Sequence, residues 1–267
     1  IKSNLKTYFD GIYESLSNKS TTTTLGTSDT LYPTQNAVKT YVDNSYAKPT
    51  IEWLPSPNGF LTSYVPNLTG TASNLAPSFS GNLILKQFRR RYLSAATAGS
   101  STSYRDVNFR HVSIGEGFTS YFIFGNEDAA NVAQARSFYG YQGSNTEIGN
   151  VNPTTISNGI GIGNNSGQAN LQFINTVAGT SVDLGSSFPS NTNSADFYLL
   201  IMSNDNGVNN LKWRVVNLHS GADTGFTTIT TSIPPSTIGL APIFWRNNGT
   251  TALAVTNTLI LYRLLKL

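Results

Sequence analysis

Short apolar-rich runs alternate with polar segments of Gly, Asn, Ser and Thr along the last four fifths of the chain. Short apolar-rich runs bounded by such turn residues are typical of strands. No long helical period occurs in this region. The predicted strands are 82–93, 105–114, 119–124, 135–141, 159–163, 171–177, 196–202, 211–218, 226–231, 238–245 and 257–265.

Turn signals and strand spacing predict how these strands are arranged. Residues 204–207, Asn-Asp-Asn-Gly, lie between two runs and are typical of a hairpin. Many short, evenly spaced strands predict a mainly β fold, an antiparallel β-sandwich of jelly-roll-like or barrel-like form. The final run, from Leu259 to Leu265, is apolar on both faces. It predicts either a central strand or a strand at a chain–chain interface.

The first fifth of the chain has a helical pattern, in which apolar residues recur at steps of four and three like the seam of a coiled coil. A second short helix is predicted after Thr34, a suitable N-cap. Isolated helices below ~12–15 residues are marginal in water, so both seams need a partner. Identical chains around a common axis supply one, and helices folded back on the same globular domain are the alternative. The predicted contact residues are Leu5, Phe9, Ile12, Leu16, Val38, Tyr41 and Val42.

This region also contains a repeat, because Leu-Lys-Thr-Tyr-Phe-Asp at 5–10 is echoed by Val-Lys-Thr-Tyr-Val-Asp at 38–43. Residues 26–43, Gly-Thr-Ser-Asp-Thr-Leu-Tyr-Pro-Thr-Gln-Asn-Ala-Val-Lys-Thr-Tyr-Val-Asp, resemble the repeat of fibre proteins from tailed bacteriophages. The resemblance implies a homotrimeric stalk before a distal β-rich head, in a virion fibre assembled in the host cytoplasm. Residues 211–218 and 240–245 are similar to the terminal β-sandwich of such proteins.

A shift of composition near Pro49 predicts three parts. Residues 1–49 are expected to form the helical repeat stalk, 50–80 an irregular collar with at most short strands, and 81–267 the β-sandwich head. The chain opens at Ile1 within a helical pattern. We therefore expect a fragment of a longer protein, whose upstream part carries further repeats and contacts other virion proteins.

Composition narrows the classes of function. Of 267 residues, 39% are hydrophobic and 12% charged, which suits a sizeable core under a surface of amides and hydroxyls. The net charge of +3 and the scattered basic residues do not favour nucleic acid. The absence of cysteine excludes disulfides and thiolate metal or redox chemistry. No apolar run is long enough to span a bilayer, and no cofactor or metal is predicted.

Few sequence features favour catalysis. The two histidines, His111 and His219, lie far apart in strand-like runs, which favours structural roles. The glycines of Gly-Ile-Gly-Ile-Gly at 159–163 are predicted to lie in a strand or turn, since no phosphate-binding lysine follows them. Glycan hydrolysis needs two carboxylates about 5–10 Å apart. No spacing selects a pair among Asp106, Glu116, Glu127, Asp128 and Glu147, so we predict a non-enzymatic protein.

Sugar binding suits the sequence better. Sugar recognition combines aromatic faces with planar amides and carboxylates, and two aromatic strands run into polar turns of this kind. The basic run at 89–91 offers charge to an acidic polysaccharide or a lipopolysaccharide phosphate. The alternatives are aromatics packed in the core or at the trimer interface, and arginines in ordinary salt bridges. The predicted glycan-binding residues are Tyr139, Tyr141, Gln142, Trp245, Asn247, Asn248, Arg89 and Arg91.

These observations predict a trimeric virion fibre whose head adheres to a bacterial surface polysaccharide or outer-surface protein. They predict neither catalysis nor nucleic-acid binding nor membrane insertion. A purely structural fibre without a receptor is the first alternative, and a glycan-depolymerising head is the second.

Overall fold

A computed structural model describes strand backbone at residues 19–20, 32–33, 50–53, 55–56 and 59–60, and the chain from 67 to 266 apart from 107–109 and 145. Its contacts divide the chain into two compact units, 1–49 and 50–267. In the first unit, β1 (Lys19–Ser20) pairs in parallel with β2 (Tyr32–Pro33). The predicted stalk helices lie outside the described residues. So do the predicted trimer contacts Leu5, Phe9, Ile12, Leu16, Val38, Tyr41 and Val42.

The second unit is built from strands of two to eleven residues. They are β3 (Thr50–Trp53), β4 (Pro55–Ser56), β5 (Gly59–Phe60), β6 (Asn67–Thr69), β7 (Thr71–Leu75), β8 (Arg89–Leu93), β9 (Ser101–Arg105), β10 (Phe118–Gly125), β11 (Arg136–Gln142), β12 (Ile160–Asn164), β13 (Gln172–Asn175), β14 (Thr180–Asp183), β15 (Phe197–Asn204), β16 (Leu211–Asn217), β17 (Thr227–Ile229), β18 (Ala241–Asn247) and β19 (Thr256–Lys266). Within the described residues, 3₁₀ helices span Leu83–Lys86 and Pro153–Thr155.

Most of these strands belong to two antiparallel sheets. The eight-stranded sheet has the order β17-β16-β15-β10-β19-β8-β7, and β3 also pairs with β19. The seven-stranded sheet has the order β14-β13-β12-β11-β18-β9-β6. The strands β6 and β7 come from the region predicted as a collar, and they are edge strands of the two sheets.

Aromatic side chains fill the space between the sheets. Along β10 alternate residues are buried, which turns Phe122 and Phe124 inward. The Phe124 ring stacks on Tyr139 of the other sheet, with centroids 3.7 Å apart. Phe173 and Trp213 stack across the same space at 4.2 Å. These contacts confirm the predicted mainly β sandwich with two antiparallel sheets.

A second apolar cluster covers the outer face of the seven-stranded sheet. It contains Phe138, Ile174, Ile243 and Trp245 from the sheet, and Ile148 and Ile156 from the segment that follows β11. All seven residues of β18 are buried as a result. A strand buried on both faces has little alternation in its sequence.

Some predicted strands are corrected. The run 82–93 splits into the first 3₁₀ helix and β8. The run 105–114 is wrong, since in its described residues β9 ends at Arg105 and only Val112 forms a bridge, to Leu240. There Oδ2 of Asp106 lies 2.7 Å from Nε2 of His111. The hairpin at 204–207 is confirmed, because β15 pairs with β16. The strand β19 is central, between β10 and β8.

Among the helical residues that the structure describes, no stretch is both long enough and apolar enough to cross a bilayer.

Candidate functional site

A pocket of about 170 Å³ lies beside the end of β11, and we call it the Gln142 pocket. Gln142 is the last residue of β11, and the segment that follows it supplies the other walls. Pockets for drug-sized ligands measure roughly 300–1,000 Å³. The Gln142 pocket therefore suits a smaller ligand.

The apolar wall of this pocket is fixed from behind. Ile148 and Ile156 line the pocket and also pack in the outer cluster with Trp245. Trp245 is fully buried, so its ring supports the wall without reaching solvent. Val151, also in the lining, is 45% exposed and gives the pocket a small apolar surface. Packing on a buried cluster holds such side chains in single rotamers.

The amide of Gln142 brings hydrogen-bonding capacity to the pocket. The side chain is 1% exposed, and its Nε2 donates to the carbonyl oxygen of Thr146 at 3.3 Å. Its Oε1 is buried and accepts no hydrogen bond from any described residue. A buried acceptor without a partner costs ~1–3 kcal/mol. A ligand donor that reached this oxygen would remove that cost.

Glu147 adds a carboxylate to the lining. Its Oε1 accepts a hydrogen bond from the Ser103 hydroxyl at 3.4 Å, and its Oε2 lies 3.6 Å from Nη1 of Arg105. Burial lowers the pKa of Arg105, and the charge of Glu147 opposes that shift. The Glu147 side chain is 31% exposed, so its oxygens remain open to a ligand.

Hydroxyl groups complete the lining. Ser144, Thr146 and Ser157 border the pocket, and the hydroxyls of Ser144 and Thr146 lie 2.6 Å apart. Amide, carboxylate and hydroxyl groups beside a small apolar surface are the partners of a polyhydroxylated ring. The arrangement can bind such a ligand by hydrogen bonds.

Two of the predicted aromatic residues, Tyr139 and Tyr141, lie in the main core. They are at most 1% exposed, and the Tyr139 hydroxyl donates to Oδ1 of Asn126 at 2.9 Å. The Tyr141 hydroxyl lies 3.1 Å from that of Tyr262. Burial raises the pKa of Tyr139 to about 12 and raises that of Tyr141 as well. The structure supports the alternative that these rings pack in the core.

The second aromatic group, on β18, is also buried. Trp245 belongs to the outer cluster, and the amides of Asn247 and Asn248 donate to backbone carbonyls of Gly99 and Thr97 at 2.9 and 2.8 Å. These amides therefore fix neighbouring loops. Because β11 and β18 are antiparallel, their polar ends point in opposite directions. The two predicted ligand-binding turns do not meet.

Arg89, the first residue of the basic run 89–91, has a structural role. Arg89 is 7% exposed and forms a two-pronged ion pair with Glu127 at 2.7 and 2.9 Å. Its Nη1 also donates to three backbone carbonyls. The salt-bridge alternative therefore describes Arg89. Arg91 remains half-buried on the same strand.

The five candidate carboxylates for hydrolysis each have a different basic partner. Asp106 pairs with His111, Glu116 with Lys266, Glu127 with Arg89, Asp128 with Arg246 and Glu147 with Arg105. In the described part of the chain, no three His, Cys, Asp or Glu side chains cluster as metal ligands would.

Sequence reasoning found Gln142 but missed most of the pocket. Thr146, Val151 and Ser157 lie in a segment without periodicity, so the sequence analysis does not predict that this segment folds back over the sheet. The isoleucines at 148 and 156 were the available signal. Apolar residues within a polar loop indicate a segment that packs on something.

Neither the protein-family models nor the curated protein sequences contain a match to this chain. Several solved structures are similar in fold. Peanut lectin has 10% identity and a TM-score of 0.50, with 82% of this chain and 97% of that chain covered. The acidic lectin of winged bean, solved with methyl-α-D-galactose, has 10% identity and a TM-score of 0.50, with 82% and 98% covered.

A protein of unknown function from Shewanella oneidensis has 16% identity and a TM-score of 0.48, with 82% of this chain and 86% of that chain covered. At these identities, peanut and winged bean lectins show the fold alone. The second unit is a β-sandwich like that of the lectins.

Proposed function

We propose that this chain is a non-enzymatic, glycan-binding part of a homotrimeric phage virion fibre, and that the Gln142 pocket binds one sugar residue. The observation that carries the proposal is a small pocket, lined by an amide, a carboxylate and hydroxyls, on a lectin-like sandwich. The fold alone does not make a lectin, since function lies in sites and not in folds.

The chemistry of the pocket suits a sugar. Glu147 supplies an acceptor for a ring hydroxyl, and Val151 offers a small apolar surface to the C–H side of the ring. A sugar-specific site without an exposed aromatic ring binds one residue weakly. Several copies on a common axis raise the apparent affinity by roughly 10²–10⁴ without new contacts.

The resemblance of residues 26–43 to phage fibre repeats supports the trimer. In this proposal the head contacts a bacterial surface polysaccharide or an outer-surface protein.

The ion pairs of the carboxylates support a non-enzymatic role. Hydrolysis requires one carboxylic acid and one carboxylate facing each other across a cleft. The five candidates are each held by a separate basic group. In a head that only binds, these contacts are structural, and Glu147 also lines the Gln142 pocket.

A sugar panel tests the proposal. Wild-type protein labelled with ¹⁵N is titrated with galactose, glucose, mannose, rhamnose and N-acetylglucosamine, and the affected amides are mapped by NMR. We expect millimolar binding of at least one sugar, with shifts centred on residues 143–157. Glu147→Ala should weaken binding at least tenfold. The control Asp223→Ala removes another arginine-paired carboxylate, in the other sheet's β16–β17 connection, and should not affect binding.

Two results would overturn the assignment: sugar binding unchanged in Glu147→Ala, or shifts that lie away from the pocket. If no sugar and no isolated surface polysaccharide binds, the structural fibre without a receptor becomes the better explanation. Release of reducing ends from the polysaccharide would instead establish a depolymerising head.

A further inference from the structure

A second pocket, of about 480 Å³, lies where the start of β15 meets the end of β16, and we call it the Asp196 pocket. Its walls are the segment 186–189 and the turn 220–222. Phe188 anchors the first wall, since its ring is 5% exposed and belongs to the main core. The pocket is separate from the Gln142 pocket and shares no residue with it.

Asn217 joins the walls and the floor of this pocket. Its Nδ2 donates to the carbonyl oxygen of Ser187 at 3.0 Å and to Oδ1 of Asp196 at 2.7 Å. Its Oδ1 accepts from the backbone N–H groups of His219 and Ser220 at 3.0 and 3.3 Å. One buried amide therefore holds three chain segments in place. The pocket is a built feature, not a gap between mobile loops.

The floor carries a carboxylate that lacks a cation. Asp196 is 9% exposed, and the bond from Asn217 is the one hydrogen bond that its side chain accepts among the described residues. No basic group of the described chain pairs with it. The buried acids Glu127 and Asp128, by contrast, each pair with an arginine. A buried carboxylate without a counter-ion is costly.

The neighbouring polar groups do not supply the missing charge. The Tyr198 hydroxyl donates to the carbonyl oxygen of Pro189 at 2.5 Å. Burial and, after it, the charge of Asp196 raise the pKa of Tyr198, which therefore stays neutral. His219 contributes its backbone N–H to Asn217 and forms no ion pair with Asp196.

Unpaired hydroxyls lie at the mouth of the pocket. Ser186 and Ser187 are exposed, and neither side chain makes a hydrogen bond within the described structure. These hydroxyls and the second oxygen of Asp196 are hydrogen-bond acceptors in the lining of the same pocket. An ammonium group has one positive charge and three donors, and it needs such acceptors.

We infer that the Asp196 pocket binds a primary ammonium group, such as that of an unacetylated amino sugar. Calcium is a poorer match, because it takes six to eight oxygen ligands, usually from several carboxylates. The pocket contains a single carboxylate. The site is independent of the Gln142 pocket and adds a charge-selective site to the chain.

Four probes test this inference by NMR titration of the full chain: glucosamine, glucose, N-acetylglucosamine and n-butylamine. We expect glucosamine to shift the backbone amide signals of residues 186–188 and 217–222, with an affinity at least tenfold above that of glucose or N-acetylglucosamine. If n-butylamine equals glucosamine, the ammonium alone is recognised, as from a lysine. If n-butylamine binds more weakly than glucosamine, the hydroxyl groups of the sugar also contribute to binding.

Two variants separate the site from the fold. Asp196→Asn keeps the acceptor for Asn217 and should weaken glucosamine binding at least tenfold. Should that variant fail to fold, Ser186→Lys places an ammonium at the exposed rim and should block binding without touching the floor. Asp205→Asn, at the exposed Lys212 pair, is the control and should bind normally.

Equal affinity for glucose and glucosamine, or normal binding by both pocket variants, would overturn the inference. The test is independent of the proposed sugar site, because Glu147→Ala should leave glucosamine binding here unchanged. Loss of the Gln142 site and loss of the Asp196 site are therefore distinguishable.

Discussion

At the scale of single residues, buried ion pairs hold one end of the sandwich together. Arg246 is fully buried, and its Nη2 lies 2.5 Å from Oδ2 of Asp128. The other oxygen of Asp128 accepts bonds from the backbone N–H and the hydroxyl of Thr256, at 2.7 and 2.9 Å. Arg246 also donates to Asn191 at 2.6 Å. One carboxylate thus connects β18, β19 and the loop that covers them.

Removing that carboxylate should destabilise the fold. Asp128→Ala leaves the Arg246 guanidinium buried without its partner, and breaking one side of a buried pair costs about 3–5 kcal/mol. Urea unfolding followed by circular dichroism measures the loss. Asp223→Ala breaks the exposed pair with Arg214 and is the control, for which a small effect is expected. Equal midpoints for the two variants would show that the buried pair is not structural.

Buried tyrosines should make the fold sensitive to alkali. Burial raises the pKa of Tyr139 to about 12, and it also raises the pKa values of Tyr92, Tyr141 and Tyr198. Unfolded tyrosine titrates near pH ~10. The folded state binds the phenolic protons more tightly than the unfolded state. The contribution of these tyrosines to the free energy of unfolding is therefore fully present below pH ~10, and it is lost as the pH rises through their folded pKa values.

The slope of stability against pH measures this effect. Between pH ~10 and 12 each such tyrosine should lower the free energy of unfolding by roughly 1.4 kcal/mol per pH unit. Tyr139→Phe removes one titrating group, and its slope should be shallower than that of the wild type by that amount. Identical slopes for the two proteins would contradict the prediction.

At the scale of elements, strands with one exposed face could be predicted and others could not. In β10 and β16 buried and half-buried residues alternate, and their predicted bounds are within one residue of the observed ones. The strand predicted at 105–114 is wrong in its described residues, since β9 ends at Arg105 and Val112 forms only an isolated bridge. The Asp106–His111 contact found there leaves no periodic signal in the sequence. The strand β14 was missed, since all four of its residues are exposed and none marks a core.

The candidate site was less predictable than the fold. Gln142 was identified because it follows aromatic residues at a strand end, and it does line a pocket. Tyr139 and Trp245 are candidates for the binding site in the sequence, with packing in the core as the alternative, and a sheet with apolar clusters on both faces buries their rings. No sequence pattern indicates Asp196 as a binding residue, since the absence of a basic partner near its carboxylate depends on three-dimensional packing.

The hairpin between β15 and β16 depends on one asparagine. Asn204 is fully buried; its Oδ1 accepts from the N–H groups of Gly115 and Gly117 at 2.6 and 3.3 Å. Its Nδ2 donates to the carbonyl oxygens of Val208 and Asn210 at 2.9 and 2.7 Å. The side chain therefore closes the hairpin loop and joins it to the turn before β10.

Asn204→Ala should leave several of these backbone groups without a hydrogen-bond partner. Each buried group left without a partner costs about 1–3 kcal/mol, so we expect a loss of several kcal/mol in the free energy of unfolding. Asn209→Ala changes an exposed residue of the same loop and is the matched control. Chemical denaturation measures both. A similar stability for the two variants would contradict the role assigned to Asn204.

At the scale of the whole molecule, the proposal depends on assembly. One weak pocket per chain does not attach a particle to a cell, whereas three on a common axis gain from multivalency. The apolar seam of residues 5–16 is the sequence feature that predicts this assembly.

Ile12→Asp should dissociate the assembly, because it places like charges together at the axis. Light scattering behind a sizing column should give three times 28.8 kDa for the wild type and 28.8 kDa for the variant. The variant should keep the affinity of a single site for free sugar and lose the avidity for a polysaccharide-coated surface. Glu14→Ala, at a polar position of the same predicted helix, should remain a trimer. An unchanged mass for Ile12→Asp would contradict the parallel seam, and a monomeric wild type would favour helices that fold back on their own chain.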